Sequence, residues 1–221
     1  MKFDDFVFAD ELKEELKFFD DNPQEITRGL CFHGLPGIGK TSFAKYLAQK
    51  HSKNIVYVDC NAQATGSKKH TIFSDWQKVV GHYGGNNIGD DGKEKHFQHA
   101  IIFDEWHDLT IKQQHNWKIP FDEMFELTNN TSFRILVILC LNTSNENDTA
   151  SKKLRLDKLV ASAIRSRCDT IEFSPVAGHE NEIINGFLRL YPKANEDKMC
   201  DAYPDLRDMT AIGERSKRFS K

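Results

Sequence analysis

Residues 34–41 read Gly-Leu-Pro-Gly-Ile-Gly-Lys-Thr, which fits the pattern G-x-x-x-x-G-K-[ST]. The run stands between an apolar segment at 29–33 and a helix-forming stretch that begins at Lys40. A strand, a glycine-rich turn and a helix start in that order make a phosphate-binding loop. The backbone N–H groups of the turn point inward, and the helix N-terminus adds its positive dipole end. Pro36, Gly37, Ile38, Gly39, Lys40, Thr41 and Ser42 are expected to wrap the phosphates of a nucleotide. Lys40 would reach the β- and γ-phosphates, and the Thr41 hydroxyl suits Mg²⁺, a hard cation that takes oxygen ligands.

Such a loop needs a sheet beneath it. Apolar runs rich in β-branched and aromatic residues at 29–33, 55–59, 100–104, 135–141 and 170–173 read as five strands. Their interiors are apolar almost continuously, which suits a parallel sheet covered on both faces, so the fold class is α/β. Helices are expected at 10–19, 40–51, 72–80 and 111–127, and the glycine-rich segment 81–95 reads as a surface loop, as does 143–153. After residue 173 the strand signal ends, Pro175 and Gly178 interrupt the chain, and short helices follow at 180–190, 194–202 and from 205 onward. The division expected is an α/β domain over 1–175 and a small helical domain over 176–221.

Composition narrows the function classes. The longest apolar runs, 100–103 and 135–141, fall far short of the roughly 20 residues that span a bilayer. The acidic first twenty residues lack the basic, apolar start of an export signal, so a cytoplasmic setting without a membrane is expected. Five cysteines, Cys31, Cys60, Cys140, Cys168 and Cys200, form no closely spaced pair and read as buried thiols. A net charge of −3 gives no global attraction to nucleic acid.

Three further elements carry chemistry. The strand at 100–104 ends in Asp104 and Glu105, adjacent acids that suit holding Mg²⁺ and polarising an attacking water; a helix start favouring acids is the alternative. The strand at 135–141 ends in Asn142, an amide able to orient that water, or an ordinary turn residue. Arg165-Ser166-Arg167-Cys168 precedes the last strand. There Arg167 could stabilise phosphate charge on a neighbouring subunit or pair locally with Asp169 or Asp157.

Taken in order, phosphate loop, Asp-Glu strand, Asn-ended strand, Ser166-Arg167-Cys168 and helical C-terminal part, the sequence resembles the AAA+ ATPases. It looks most like a sliding-clamp loader subunit of the phage and replication-factor-C type. Phe3-Asp4-Asp5-Phe6-Val7 and Tyr203-Pro204-Asp205-Leu206-Arg207 add to the likeness. The resemblance implies a five-stranded parallel sheet of AAA+ type with the phosphate-loop strand beside the Asn142 strand, and a helical lid. It implies an ATP site with Val7, Phe8, Lys40, Thr41, Asp104, Glu105, Asn142 and Arg207 in cis, and Arg167 acting on the next subunit's nucleotide. It also implies other clamp-loader subunits, a sliding clamp and primer-template DNA as partners, in a host cytoplasm if the gene is a phage's. Lys68, Lys69 and His70 fall where the family contacts template phosphates, though solvated lysines are as good a reading. The sequence departs from the family at Trp106-His107, where many members have Ala-Asp. It also ends at Lys221, where loader subunits typically continue into a helical collar.

A helicase loader or other DNA-associated remodelling ATPase would share these motifs. A nucleotide-binding subunit without turnover would not need Glu105.

Overall fold

A computed structural model of the chain describes residues 2–61, 95–130, 133–143, 155–173 and 180–218. The expected helix at 72–80, nearly all of the 81–95 and 143–153 loops, Lys68, Lys69 and His70 lie outside these residues.

Five parallel strands, β1 (Gly29–Gly34), β2 (Ser52–Asp59), β3 (Phe97–Asp104), β4 (Ile135–Asn142) and β5 (Cys168–Phe173), form one sheet in the order β2-β3-β4-β1-β5. β1 pairs with β4 through Leu30↔Ile138 and Gly34↔Asn142, and with β5 through Gly29↔Cys168 and Gly34↔Phe173. Because side chains alternate along a strand, the sheet divides its apolar residues between two faces. Leu30 and Phe32 of β1, Ile102 of β3 and Ile138 of β4 belong to one buried cluster. Cys31, Ile101, Phe103, Val137 and Leu139 belong to the other. Both faces are thus covered, which is why the strands read as continuously apolar.

The first face is covered by α1 (Asp10–Asp21) and α2 (Lys40–His51). Phe43 of α2 is fully buried there, with its ring against Phe3, Phe6, Phe8, Phe32 and Phe173. Removing a ring so placed costs about 3–5 kcal/mol. The second face is covered by α3 (Ile111–His115), α4 (Lys118–Asn130), α5 (Leu156–Leu159) and α6 (Ser162–Arg165). Trp106, Trp117, Phe103 and Phe121 pack there as one aromatic group. After β5, α7 (Glu180–Leu190), α8 (Glu196–Ala202) and α9 (Leu206–Arg218) pack together, and their Ile183, Phe187, Met199, Leu206 and Met209 join the first cluster.

The structure differs from the sequence-based expectation in several places. The helix expected over 111–127 is two helices broken at Asn116 and Trp117. Pro120 has no N–H to give Asn116, so it suits the first turn of α4 but not the interior of one long helix. β2 and β3 begin three residues early because Ser52 pairs with Phe97 and Asn54 with His99 backbone to backbone, although Ser52, Asn54 and His99 have polar side chains. Cys200 is exposed on α8, whereas the other four cysteines are buried. Among the described residues no helix is long and apolar enough to cross a membrane.

Candidate active site

In a parallel sheet all strand C-termini reach the same edge, and that edge is where α/β folds bind ligands. Here it gathers Gly34, Asp104 and Asn142, with the 34–41 loop rising from β1 into α2. Gly34 has φ 142°, and a Cβ placed on it would lie 1.8 Å from the Phe173 carbonyl oxygen, so no other residue fits. Lys40 is buried, its ammonium donating to the carbonyl of Gly34 at 3.0 Å and to that of Leu35. Burial pushes this ammonium down to about 8, against the pull of the Glu105 and Asp104 carboxylates. A polyphosphate would stabilise the charge that burial disfavours.

Asp104 ends β3 with both oxygens engaged. Thr41 Oγ1 donates to its Oδ1 at 2.9 Å, and the Tyr57 hydroxyl donates to Oδ2. Glu105 follows with φ 53° and ψ 42°, the sole non-glycine residue at positive φ among the described residues, a conformation that costs of order 1–3 kcal/mol. That turn aims its carboxylate at β4, where Asn142 Nδ2 donates to Oε2 at 3.0 Å. Burial raises the proton affinity of Glu105, and the neighbouring Asp104 and Asp108 add to this against the pull of His107 and Lys40. His107 reaches the same carboxylate from the other side, Nε2 lying 3.4 Å from Oε2.

One cavity of ≈ 760 Å³ opens over these groups. Of the residues singled out from sequence, Val7, Phe8, Gly37, Ile38, Gly39, Lys40, Thr41, Ser42, Asp104, Glu105, Asn142 and Arg207 all line it. Pro36 does not: it is exposed and has no N–H to offer a phosphate. Arg207 enters from the first turn of α9, and among the described residues its guanidinium makes no ion pair; Asp205 bonds only the backbone N–H groups of Arg207 and Asp208. Arg167 lies at the opposite end of the sheet, before Cys168, which pairs with Gly29. Five residues of strand, about 17 Å, separate that level from Gly34. Its guanidinium forks onto Asp122, Nε to Oδ1 at 2.5 Å and Nη2 to Oδ2 at 2.8 Å. The local pairing expected with Asp169 or Asp157 is not made; Asp169 pairs with Arg28 and Asp157 with Arg155.

Sequence reasoning missed the cavity's apolar wall. Phe187, Leu190 and Tyr191 line it from α7 and the residue beyond, Leu206 from α9, and Lys217 lies over the Tyr191 ring at 4.4 Å. The 187, 190, 191 spacing marks one helix face, but nothing in a sequence says that the face meets the phosphate loop.

Thr41 and Asp104 fit a hard divalent cation: they put a hydroxyl and a carboxylate oxygen beside the loop that would hold the phosphates. Among the described residues no three His, Cys, Asp or Glu side chains cluster as a self-sufficient metal site, so the remaining ligands would be phosphate and water.

Residues 30–175 match the model of the ATPase family associated with various cellular activities (AAA). No curated protein matches the sequence. Among solved structures, the replication initiator DnaA bound to AMPPCP and single-stranded DNA superposes at a TM-score of 0.62 with 14% identity, covering 98% of this chain and 64% of that one. RuvB of Thermotoga maritima superposes at 0.53 with 18% identity, covering 98% and 65%. Katanin, solved to explain its self-assembly, superposes at 0.58 with 16% identity, covering 99% and 71%. The chain spans just under two thirds of the first two, and at these identities the likeness is one of fold.

Proposed function

Since the chain belongs to the AAA family of ATPases, we propose that it binds ATP with Mg²⁺ in the cavity above β1, β3 and β4 and hydrolyses it. The observation that carries this reading is the convergence of Lys40, Thr41, Asp104, Glu105, Asn142 and Arg207 on one cavity. Lys40 gives the phosphates a charge, and Arg207 brings a guanidinium with no ion pair among the described residues. Glu105, a carboxylate with raised proton affinity, is suited to take the proton of an attacking water. When bound, Mg²⁺ neutralises developing phosphate charge, and Thr41 and Asp104 would hold it. The apolar wall from α7 and α9 suits a purine base, and these helices act as the lid of a two-domain arrangement divided near residue 175.

In this proposal the machine is a sliding-clamp loader. ATP binding would hold a clamp open on primer-template DNA, and hydrolysis would release it. Support comes from Ser166-Arg167-Cys168, Tyr203 to Arg207, and the position of Arg167 away from its own cavity, as an arginine that serves a neighbouring subunit would be placed. A helicase loader or other DNA-associated remodelling ATPase is the second reading; the likeness in fold to an initiator solved with AMPPCP and single-stranded DNA keeps it beside the first.

Two variants test the site. Lys40→Ala should abolish ATP binding, whereas Glu105→Gln should bind ATP and Mg²⁺ but turn over far more slowly, since only water activation is lost. Unchanged ATP affinity in Lys40→Ala would rule out the site. Turnover stimulated by a sliding clamp and primer-template DNA supports the loader, and stimulation by a replicative helicase supports the second reading.

A further inference from the structure

His107 is, with Trp106, where this sequence leaves the pattern it resembles after Asp104-Glu105, and the structure puts it against the Glu105 carboxylate. We propose that His107 is a positioning residue for ATP hydrolysis: its ring, carrying its proton on Nε2, holds the Glu105 carboxylate by one oxygen and leaves the other to meet the attacking water. This rests on the ATPase reading of the site and adds a residue to it.

The tautomer follows from the partners. The backbone N–H of Asn142 donates to His107 Nδ1 at 3.3 Å, so that nitrogen must present a lone pair. The ring proton is then on Nε2, which faces Glu105 Oε2 at 3.4 Å and Asp108 Oδ1 at 3.8 Å. The Asn142 side chain donates to the same Oε2 at 3.0 Å. The Asn142 amide and the His107 ring nitrogen therefore both lie against one oxygen, the first hydrogen-bonded and the second at 3.4 Å, while Oε1 has no partner among the described residues.

The ring is well placed for this task. It sits on the one-turn 3₁₀ helix Trp106–Asp108, with Trp106 anchored in the aromatic core and the imidazole only 17% exposed. Asn142 is thereby bound to His107 through its backbone and to Glu105 through its side chain. The end of β4, the imidazole and the carboxylate are thus linked by two hydrogen bonds from Asn142 and by the 3.4 Å approach of Nε2 to Oε2. The charged groups around it are Asp108 on the same turn, Asp104 at the end of β3 and Lys40 from α2. A neutral donor steadies Glu105 without the full positive charge that would weaken it as a base. A carboxylate left at αL backbone without that hold would sample other rotamers, and misplacement of a catalytic group by about 1 Å can cost roughly 10²-fold in rate.

Glutamine and asparagine separate the two ring nitrogens, because the glutamine amide reaches the place of Nε2 whereas the asparagine oxygen reaches that of Nδ1. In the full chain, His107→Asn and His107→Ala should lower kcat roughly 10- to 100-fold, while His107→Gln recovers most of it and ATP affinity stays the same in all three. Equal loss in the glutamine and asparagine variants, a better asparagine variant, or unchanged kcat throughout would overturn the proposal. A second readout needs no variant to be active. In ¹⁵N-histidine-labelled wild type, the resonance pair absent from His107→Gln should show an unprotonated Nδ1 and a protonated Nε2; the opposite pattern overturns the assignment. Loss of all ATP turnover in wild type would instead defeat the ATPase reading, and the tautomer would still be measurable.

Discussion

Gly37 lies directly against the carboxylate of Asp205: a Cβ built on the glycine would come 2.5 Å from Asp205 Oδ1. Gly37 also has φ 80°, so the phosphate loop is glycine here both for its own turn and for what presses on it. Asp205 is the residue before α9, and its Oδ1 accepts from the backbone N–H of Arg207 at 2.9 Å and of Asp208 at 3.3 Å. One carboxylate therefore caps α9 and touches the loop, so anything that moves the phosphate loop is felt at the helix that carries Arg207.

Asp205→Ala should cost about 1 kcal/mol through the lost cap, a fall of about 2–4 °C in Tm for a chain of this size. Because the same group packs on Gly37, ATP binding should weaken as well. Asp205→Asn should restore the cap and most of the Tm. Thermal unfolding with and without ATP checks both, and a Tm unchanged in Asp205→Ala would show that the cap contributes nothing.

Asp20 gives the expected pH dependence of stability. It is buried on α1, which disfavours its charge, but hydrogen bonds from His51, Lys50 and Tyr46 outweigh burial and hold its carboxyl below the usual range. A depressed folded-state value means that the stabilisation is present above the unfolded value of about 3.9 and is lost as pH falls below it. The stability difference between wild type and Asp20→Asn should therefore be largest near neutrality and shrink below about pH 4. Denaturant titrations at several pH values measure it, and a difference independent of pH would remove Asp20 from the acid response.

Much of the fold and site was legible because both are local in sequence. The phosphate loop, the Asp104-Glu105 strand end and Asn142 are recognisable from adjacent residues, and parallel pairing alone carries them to one edge. What stayed hidden depends on contacts between distant segments. His107 acquires its partners from Asn142, 35 residues away, and Arg167 meets Asp122 across 45. The break in 111–127 was missed because the apolar period continues through it, although Pro120 was there to mark it. The early starts of β2 and β3 were missed because backbone pairing tolerated Ser52, Asn54 and Gln98.

Arg167 spends most of its donors at home. Nε and Nη2 fork onto Asp122, Nη1 donates to the Ala163 carbonyl, and the guanidinium in turn lowers the Asp122 carboxyl. If Arg167 serves a neighbouring subunit's phosphate, it must first leave Asp122. Asp122→Ala should then raise turnover in the assembled state, whereas Arg167→Ala should lower it by roughly 10³ to 10⁵ without affecting ATP binding. Mixing Arg167→Ala with Glu105→Gln chains should recover some turnover. A fall in Asp122→Ala would mean that the carboxylate aims the arginine rather than restraining it.

Arg207 is the cationic group of the cavity that comes from outside the α/β sheet layer and has no counter-ion among the described residues. It lines the same cavity as Lys40 and lowers that ammonium's proton affinity, so the two charges sense each other. Two cations facing one space repel until a further anion enters, and the phosphate furthest from the base offers the most charge to both. Replacing Arg207 by Ala should therefore weaken ATP more than ADP. Arg207→Lys should keep the charge but lose the fork and recover only part of the discrimination. Titrating ATP and ADP into wild type, Arg207→Ala and Arg207→Lys decides this. An equal loss for both nucleotides would assign Arg207 to general electrostatics, and no loss for either would leave it without a part in nucleotide sensing.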